Sequence, residues 1–338
     1  MTEQAIDFVI PYVNGNDPVW RAKKNSYSEQ KEGGDDRDRR YREWNNLKYW
    51  FRGVERFAPW VRKVFLVTDH QAPEWLNAEY DKLQLVNHED YIPAQYLPTF
   101  SSHPIELNFH RIPGVSEHFV YFNDDMFLTN NVLPSDFFRD GLPCDYAAQM
   151  PMVVQDRIFN HIIYNNILIL NQHYNRLDVL KKHWRKFFSP AYPKGMLANI
   201  YFLLYRSRRF FGFRSPHLPT AFLKSAYEGF WEENYEWLDE TCSHKFRNDN
   251  DVNQYAIKQY QYVNGLFTPY NWGPTVNAYQ FRPHTKKARI LDVARRIRKG
   301  RYKMICLNDA GIEDFETVAS RLNNAFEALL PEKSRFEK

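Results

Sequence analysis

The stretch HFVYFNDD, residues 118–125, joins a short apolar run to two adjacent acids. Two similar apolar runs precede it in the chain, IDFVIPYV at residues 6–13 and VRKVFLV at residues 61–67. Each run has the length and the β-branched and aromatic content of a buried strand, and polar or turn-forming residues follow it at once. We therefore predict three buried strands, the third of which ends in an acidic turn.

A helix is predicted between the first two strands. Residues 44–57 (WNNLKYWFRGVERF) place Leu47, Trp50, Phe51 and Val54 on one helical face. The order strand, helix, strand is typical of a parallel sheet, and ligands of such sheets bind at the carboxyl ends of the strands. We therefore predict an α/β fold with a mostly parallel, Rossmann-like sheet.

An acid follows each predicted strand, namely Asp17, Asp69 and the pair Asp124 and Asp125. Because the carboxyl ends of parallel strands meet at one edge of a sheet, we expect these acids to point into one crevice. The adjacent pair is suited to hold Mg²⁺ or Mn²⁺ against a phosphate, since these cations prefer oxygen ligands. A structural Asx turn is the alternative interpretation of the pair, and a plain turn is the alternative for residues 14–18.

Composition excludes several classes of protein. Of the 338 residues, 43% are hydrophobic and 17% are aromatic, which suffices for a large core. The longest apolar stretches, residues 162–170 and 197–205, are far shorter than the roughly 20 residues of a membrane-spanning helix. The sequence has no Walker, GxSxG or GxGxxG motif, so it gives no support to a P-loop nucleoside triphosphatase, a serine hydrolase or a dinucleotide-binding enzyme. The net charge of +4 is too small to predict binding to nucleic acid.

The cysteines and the first residues indicate the compartment. Cys144, Cys242 and Cys306 lie far apart and form no CxxC pair, which fits a reducing cytosol and argues against a cysteine zinc site. The opening residues lack a basic region followed by a long apolar region, so no secretory signal is predicted. We therefore expect a cytoplasmic protein.

Three polar stretches could bind phosphate or sugar. Residues 97–113 (LPTFSSHPIELNFHRIP) are rich in Ser, His, Asn and Arg, which all donate hydrogen bonds to phosphate oxygens. The alternative is a buried helix whose polar groups are satisfied internally. The same two interpretations apply to residues 214–219 and 244–251, since a lone histidine is more often structural than catalytic.

Residues 286–303 form a basic run, with nine Lys or Arg against one acid. Ile290, Val293, Ala294 and Ile297 recur within it at helical spacing, so a helix would pack these inward and display the bases. We expect this helix to contact an anionic acceptor or a membrane surface. A solvated helix face is the alternative.

Four blocks of the sequence resemble those of a known family. They are residues 6–20, residues 40–128, a looser block anchored by His217, Pro219, Arg247 and Asp251, and residues 306–309. On these blocks the chain resembles the Stealth family of sugar-1-phosphate transferases. That family includes bacterial capsule and exopolysaccharide phosphotransferases and the eukaryotic N-acetylglucosamine-1-phosphotransferase. Glu43, Asn46 and Lys48 depart from residues that relatives often carry, which concerns the donor side of the site.

The resemblance implies a GT-A-like nucleotide-sugar-binding sheet with a helical insertion. A hexose-1-phosphate would move from a nucleotide sugar, typically UDP-linked, to a hydroxyl of a glycan or lipid-linked glycan. The product would be a phosphodiester of capsular or exopolysaccharide biosynthesis, and a nucleoside monophosphate would be released. Such a bacterial enzyme is expected in the cytoplasm, peripheral at the inner face of the membrane.

Two other functions stay open at this point. One is a metal-dependent inverting glycosyltransferase, which would release a nucleoside diphosphate. The other is a non-catalytic protein that binds an anionic polymer through residues 286–303, although such a protein has no need for acids at three strand ends.

The resemblance and the composition together divide the chain into four segments. Residues 1–134 are the expected nucleotide-sugar-binding half, residues 135–213 a mainly helical insertion on the acceptor side, residues 214–310 a second catalytic half with the basic helix, and residues 311–338 a C-terminal helix.

The expected catalytic residues are Asp124, Asp125, His217 and Arg247. The two acids would bind Mg²⁺ or Mn²⁺ or take up a proton, and His217 would act as a general acid or base or would donate to phosphate. The planar guanidinium of Arg247 would neutralise phosphate oxygens.

The other expected site residues bind substrate or orient the catalytic groups. Asn123 would orient the acids, Arg111 would bind phosphate and Asp251 would orient Arg247. The full set of expected binding residues is Asp7, Asn14, Asp17, Arg52, Asp69, Ser102, His103, His110, Arg111, Asn123, Asp251, Asn308 and Asp309.

Overall fold

The structure, a computed structural model, describes residues 4–28, 41–153 and 158–338. Arg40, the first residue of the second block, lies outside the described residues. The strands are β1 (Ile6–Pro11), β2 (Val64–Thr68), β3 (Leu83–Asn87), β4 (His118–Tyr121), β5 (Met126–Leu128), β6 (Phe138–Arg139), β7 (Leu142–Asp145), β8 (Thr220–Leu223), β9 (Thr268–Pro269), β10 (Val276–Phe281) and β11 (Met304–Asp309).

The helices connect and cover these strands. They are α1 (Pro18–Ser28), α2 (Leu47–Phe57), α3 (Ser102–Leu107), α4 (Pro134–Phe137), α5 (Ile158–His173), α6 (Arg176–Lys182), α7 (Trp184–Phe187), α8 (Pro193–Leu203), α9 (Lys224–Glu233), α10 (Tyr235–Ser243), α11 (Gln254–Val263), α12 (Lys287–Arg298) and α13 (Phe315–Leu329). None of these described helices is both long enough and apolar enough to cross a lipid bilayer.

The largest sheet has the strand order β3-β2-β1-β4-β8. β1 pairs in parallel with both β2 and β4, and β2 pairs in parallel with β3, whereas the edge strand β8 runs antiparallel to β4. Every residue of β2 is buried, as expected for a parallel sheet covered on both faces. The predicted α/β class, the three strands and their parallel pairing are therefore confirmed.

Helix α2 packs on this sheet with the predicted face, because Leu47, Trp50, Phe51 and Val54 are all buried. Gly53 permits the closest approach: a Cβ at this position would lie 2.9 Å from the backbone oxygen of Leu128. Helix α2 therefore packs closely against β5, the strand that follows the acidic turn.

A second sheet, of order β10-β11-β5, continues directly from that turn. β11 pairs antiparallel with β5, with Cys306 opposite Met126, so residues near position 306 pass beside the acid pair. Helix α12 packs against α13 and buries the four apolar residues expected of it: Ile290, Val293, Ala294 and Ile297. The amphipathic basic helix is therefore confirmed.

The C-terminal helix is shorter than predicted. Helix α13 ends at Leu329, and Pro331 follows, a residue that cannot continue a helix. The remaining residues return to the first sheet, where the Asn77 amide donates to the oxygen of Phe336. The expected helix over residues 311–338 is corrected accordingly.

Helices α5 to α8 lie between β7 and β8 and form most of the predicted insertion. The segment begins with the β6–β7 pair, which β9 extends in parallel. The helices enclose their own apolar cluster, which includes Ile167, Leu170 and Phe187. The division of the chain into four functional segments stays a prediction.

Candidate functional site

A cleft of about 2450 Å³ opens at the carboxyl ends of β1 and β4. Its walls come from the end of β1, the acidic turn, α3, α5, the segment before β8, the start of α11 and the approach to α12. The predicted site residues that line it are Ser102, His103, Asn123, Asp124, Asp125, His217, Arg247, Asn308 and Asp309. They come from distant parts of the sequence, and the pairing of β11 with β5 brings Asn308 and Asp309 to the acidic turn.

Asp125 contacts three side chains from distant parts of the sequence. Its Oδ1 lies 3.2 Å from His217 Nε2, and its Oδ2 accepts from Cys306 Sγ at 3.3 Å and from Asn308 Nδ2 at 3.2 Å. Burial alone would raise the pKa of Asp125, but His217 and the Asn308 and Cys306 donors outweigh burial and lower it. Asp125 is therefore an anion in the folded protein.

Asp124 has the opposite character. Its side chain faces the space of the cleft. Desolvation by the cleft walls, followed by the negative charges of Asp125 and Glu43, raises the pKa of Asp124 to about 7. The two acids share one site, so the negative charge of one disfavours ionisation of the other. Near neutral pH, Asp124 can therefore take up or release a proton.

His217 links the acids to the far wall. Its Nε2 lies 3.3 Å from Asn123 Nδ2, and its Nδ1 lies 3.2 Å from the Tyr255 hydroxyl. Burial would lower the pKa of His217, but the nearby carboxylates, Asp125 above all, raise it. Burial raises the pKa of Tyr255, so a neutral hydroxyl lies beside Nδ1. Tyr255 was not among the predicted site residues.

A second polar group lines the cleft beside α3. Arg247 Nη2 donates to Ser102 Oγ at 2.9 Å, which places the guanidinium at the wall. Asp251 lies behind it, fully buried, and contacts His103 Nδ1 and His244 Nδ1, each at 2.7 Å. The bonds of Asp251 thus orient two histidines, one of which lines the cleft.

Sequence reasoning missed a pair at the end of β1, Tyr12 and Glu43. Burial raises the pKa of Glu43, and the Tyr12 hydroxyl hydrogen-bonds to its carboxylate. Glu43 also raises the pKa of Asp124. Little in the sequence warned of this pair, since Glu43 stood out only as a departure from residues that relatives often carry on the donor side.

Glu106 is a second missed acid, contributed by α3. It is buried, lines the cleft and lies within 3.0 Å of the Tyr121 hydroxyl, which also lies 3.0 Å from Asn123 Oδ1. This chain of contacts positions Asn123. Glu106 belongs to the polar stretch noted in the sequence, but only the fold identifies its partner.

Asp7 and Arg52 lie away from the cleft, which corrects two expectations. Asp7 is at the amino end of β1, fully buried, and forms an ion pair with Arg62. Arg52 is a buried residue of α2 that pairs with Glu337 at 2.9 Å. A parallel strand directs only its carboxyl end to the ligand edge, so Asp7, at the start of its strand, faces the opposite edge.

Arg111 and His110 are also placed elsewhere. Arg111 is exposed and its guanidinium lies 5.0 Å from the ring centre of Trp231. His110 is buried against the same tryptophan and Tyr227, and burial lowers its pKa to about 3. Neither residue lines the cleft, so the phosphate-binding role expected of Arg111 is corrected.

The acids after β1 and β2 hold loops together. Asp17 accepts from the Val19 amide at 2.8 Å and from Gln71 Nε2 at 3.0 Å, which caps α1. The Asn14 amide donates to Gln71 Oε1 at 3.0 Å, and Asp69 pairs with Lys23 at 2.8 Å. Asn14, Asp17 and Asp69 therefore stabilise loops and do not line the cleft. Of the acids predicted to share one crevice, Asp124 and Asp125 line it.

The last predicted block divides between two roles. Asn308 binds Asp125, as described, whereas Asp309 pairs with Arg42 at 3.3 Å and accepts from the Gly311 amide at 2.8 Å. Both residues line the cleft.

Among the described residues, one cluster of potential metal ligands has its ligand atoms within 4.8 Å of one another: Asp125, His217 and Cys306. Burial raises the pKa of Cys306 well above its usual value, so this sulfur is a thiol that donates to Asp125. A hard cation would instead find its oxygen ligands in the acid pair. Within the described residues, the buried Asp125 Oδ1 has His217 Nε2 at 3.2 Å and no other close partner.

Three regions of this chain match conserved regions of the Stealth proteins. Conserved region 1 matches residues 4–32, region 2 matches residues 40–144 and region 4 matches residues 295–338. Regions 1 and 2 supply β1, α2 and the acidic turn, and region 4 supplies β11.

Full-length relatives agree with this match. An exopolysaccharide phosphotransferase, cps2G, from Lactiplantibacillus plantarum is 41% identical over 98% of this chain and 96% of the relative. A receptor polysaccharide phosphotransferase, WefC, from Streptococcus oralis is 40% identical, and a capsular polysaccharide phosphotransferase, WcwK, from Streptococcus pneumoniae is 42% identical. Each of these two covers 98% of this chain and 99% of the relative.

Among solved structures, mouse xyloside xylosyltransferase 1 covers 90% of this chain and 98% of its own, at 10% identity and a TM-score of 0.36. A score this low carries no argument about the fold. The family is shown by the three conserved regions and by the relatives that match nearly the whole chain. The chain therefore belongs to the Stealth family of phosphotransferases.

Proposed function

We propose that this protein transfers a hexose-1-phosphate from a UDP-linked or related nucleotide sugar to a hydroxyl of a glycan acceptor. The product is a phosphodiester of a capsular or exopolysaccharide, and the leaving group is a nucleoside monophosphate. The names of the relatives, which are all polysaccharide phosphotransferases, support sugar-phosphate transfer in polysaccharide biosynthesis. The parallel sheet supports a GT-A-like, nucleotide-binding arrangement with the donor at its carboxyl edge.

One observation carries the proposal: two adjacent acids with opposite pKa shifts, one of which is paired with a histidine, line a cleft that also contains Arg247. Phosphoryl-type transfer needs an acceptor for the proton of the attacking hydroxyl and a cation beside the phosphate. His217 and Arg247 meet these two needs.

The reaction can then be written with named groups. The acceptor oxygen forms a bond to the phosphorus that carries the sugar, and the bond from that phosphorus to the nucleoside monophosphate breaks. His217, as neutral imidazole with its proton on Nε2 beside Asp125, takes the hydroxyl proton at Nδ1, and Asp125 stabilises the imidazolium that results. Arg247 neutralises the phosphate oxygens, and the departing monophosphate keeps the bonding electrons.

The acid pair also fits a divalent cation. Asp124 and Asp125 would hold Mg²⁺ or Mn²⁺, because carboxylate oxygens are the ligands these ions prefer and the Asp124 side chain is exposed to the space of the cleft. The ion, when bound, would neutralise diphosphate charge. We expect transfer to stop after EDTA treatment and desalting and to return with Mg²⁺ or Mn²⁺. Full turnover after desalting would contradict the metal assignment.

The acceptor side is proposed to be the helical insertion and the basic approach to α12. Arg282, Lys286 and Arg289 line the cleft and would attract an anionic, lipid-linked or growing glycan. We propose that the enzyme acts in the bacterial cytoplasm at the inner face of the membrane.

The identity of the released nucleotide tests the reaction directly. Incubation with UDP-hexoses and a capsule-type acceptor should release UMP, because the attack is at phosphorus. Release of UDP would instead indicate attack at the anomeric carbon, and the protein would then be a glycosyltransferase. The Asp124→Asn variant is the matched control for nucleotide released by contaminating hydrolases.

A further inference from the structure

Helix α8 presents an apolar stripe to solvent. Leu197, Ile200 and Tyr201 of α8 and, directly after its end, Leu204 and Tyr205 recur at the spacing of one helical face, and their exposed fractions range from 46% to 77%. Surface helices of globular proteins direct such a stripe to the core. A contiguous exposed apolar surface usually marks a contact with another molecule or with a membrane. We call these five residues the α8 stripe.

The opposite face of α8 fixes this orientation. Asn199 is fully buried, and its Nδ2 donates to the backbone oxygens of Ala147 at 2.9 Å and Phe187 at 2.6 Å. Arg176, also fully buried, donates to the oxygens of Phe202 at 2.5 Å and Tyr205 at 3.0 Å. A cation at this end stabilises the helix, since helix carboxyl ends carry partial negative charge. The α8 stripe is therefore held outward by buried bonds.

The sequence on both sides of the stripe carries charge of one sign. Residues 179–227 contain ten Lys or Arg and no Asp or Glu. Arg206, Arg208 and Arg209 directly follow the stripe and are exposed, as is Lys194 in the first turn of α8. An anionic partner is therefore favoured over a neutral or basic one.

The combination of features fits a lipid bilayer. Apolar side chains can enter the hydrocarbon boundary while bases contact anionic headgroups. Tyr201, Tyr205 and the 55%-exposed Trp184 are the residue types that prefer the interface between the two. At about 1.5 Å per residue, residues 193–205 extend only about 20 Å, so the helix would lie along the surface. We propose that the α8 stripe and residues 206–209 dock this protein on an anionic bilayer surface.

The surface is connected to the cleft. Asn199 Oδ1 accepts from the Gln149 amide at 2.8 Å, and the next residue, Met150, lines the cleft. Val153, Phe159 and Tyr164 extend this apolar wall and are themselves exposed. An acceptor anchored in the same bilayer could therefore reach His217 along an apolar rim. The docking itself does not depend on the proposed reaction, because it requires no donor.

Vesicle sedimentation tests the proposal without any turnover. The full chain should sediment with vesicles of phosphatidylglycerol and phosphatidylcholine, and salt should weaken the binding. The double variant Leu197→Gln, Leu204→Gln should bind at least tenfold more weakly. Replacing Arg206, Arg208 and Arg209 by Gln should remove most of the salt dependence. Leu291→Gln is the matched control, because Leu291 is a 43%-exposed leucine on the basic helix α12.

A second measurement uses the unmodified surface. Brominated phosphatidylglycerol should quench tryptophan fluorescence of the wild type, and Trp184→Phe should weaken that quenching, because Trp184 is 55% exposed. Wild-type binding by the Leu197, Leu204 double variant, or equal binding to pure phosphatidylcholine, would overturn the proposal. So would a dimer in sedimentation velocity that the double variant dissociates, since the stripe would then join two copies of the chain.

Discussion

Asp124 and Asp125 are neighbours in sequence, yet their environments move their pKa values in opposite directions. Asp125 is held by His217, Cys306 and Asn308, whereas Asp124 faces the cleft beside the charges of Asp125 and Glu43. Pairs of acids separated in this way commonly divide the roles of an active site between them. The structural reason is that one carboxylate receives the hydrogen bonds and the other receives the repulsion.

Asp124→Asn should lower the transfer rate by roughly two to four powers of ten, the scale expected when a key electrostatic or acid–base group is lost. The folded protein should become no less stable above neutral pH, because ionised Asp124 is repelled by Asp125 in the native state. Rate assays and thermal unfolding of the same preparation measure both effects. A variant with a near-normal rate would remove Asp124 from the catalytic set.

Arg247→Lys should reduce kcat while leaving the KM for the donor nearly unchanged. Arg247 would neutralise charge that develops at the transferring phosphate, and an ammonium cannot reproduce the planar pair of donors. Steady-state kinetics with varied donor separates the two parameters. If only KM rises, Arg247 binds the ground state and does not stabilise the transition state.

At this scale the sequence identified some residues and misassigned others, for a physical reason. The acid pair could be predicted because it is local: two carboxylates directly follow a buried strand. Arg52 could not be assigned correctly, because its partner Glu337 is 285 positions away. Asp7 stands beside other motif residues in the chain but at the opposite end of its strand. Tyr255 needed the fold to bring it to His217.

Among the elements, β1, β2, β4 and α2 were predictable because their apolar patterns are short-range. Helix α12 was predictable in the same way, down to the four residues that it buries. The meeting of β11 with β5 was not, since antiparallel pairing between positions near 306 and 126 leaves no local pattern. This pairing completes the site, so much of its geometry is invisible in the linear chain.

Helix α12 allows a prediction with an internal control. Lys286→Glu combined with Arg289→Glu should raise the KM for a long anionic acceptor, because both residues line the cleft. Each surface contact contributes up to about 1 kcal/mol, so the combined effect is on the order of tenfold at low salt. Arg295→Glu with Arg298→Glu, at the other end of the helix, should change acceptor KM much less. Equal effects of the two variants would indicate general electrostatic attraction without a defined contact.

For the whole molecule, buried histidines couple folding to pH. Burial lowers the pKa of His110 to about 3, while the unfolded chain binds that proton near 6.5. Between these values the unfolded state holds more protons, so the histidine destabilises the fold increasingly as the pH falls. Asp124 and Glu43 act in the opposite sense, because their pKa values are raised.

His110→Phe isolates the first effect. The ring is surrounded by Tyr227 and Trp231, which can accept a phenyl group of similar shape. Relative to the wild type, the variant should gain about 1.4 kcal/mol in free energy of unfolding for each pH unit below 6.5. Urea denaturation from pH 7.5 to 5 measures the difference. His284→Phe, at a 91%-exposed side chain, should show no such trend, and a flat difference for His110 would contradict the assignment.

The bond between Asn308 and Asp125 has a consequence for the order in which the protein is made. The two residues are 183 positions apart, so at about 5 to 20 residues per second a ribosome needs about 10 to 40 s to pass from one to the other. Strands β1, β2 and β4 have been synthesised by the start of that interval. The acidic turn still lacks Cys306 and Asn308, whose hydrogen bonds lower the pKa of Asp125. A nascent chain would therefore have a finished sheet well before it has a working centre, and competence would arrive only with β11.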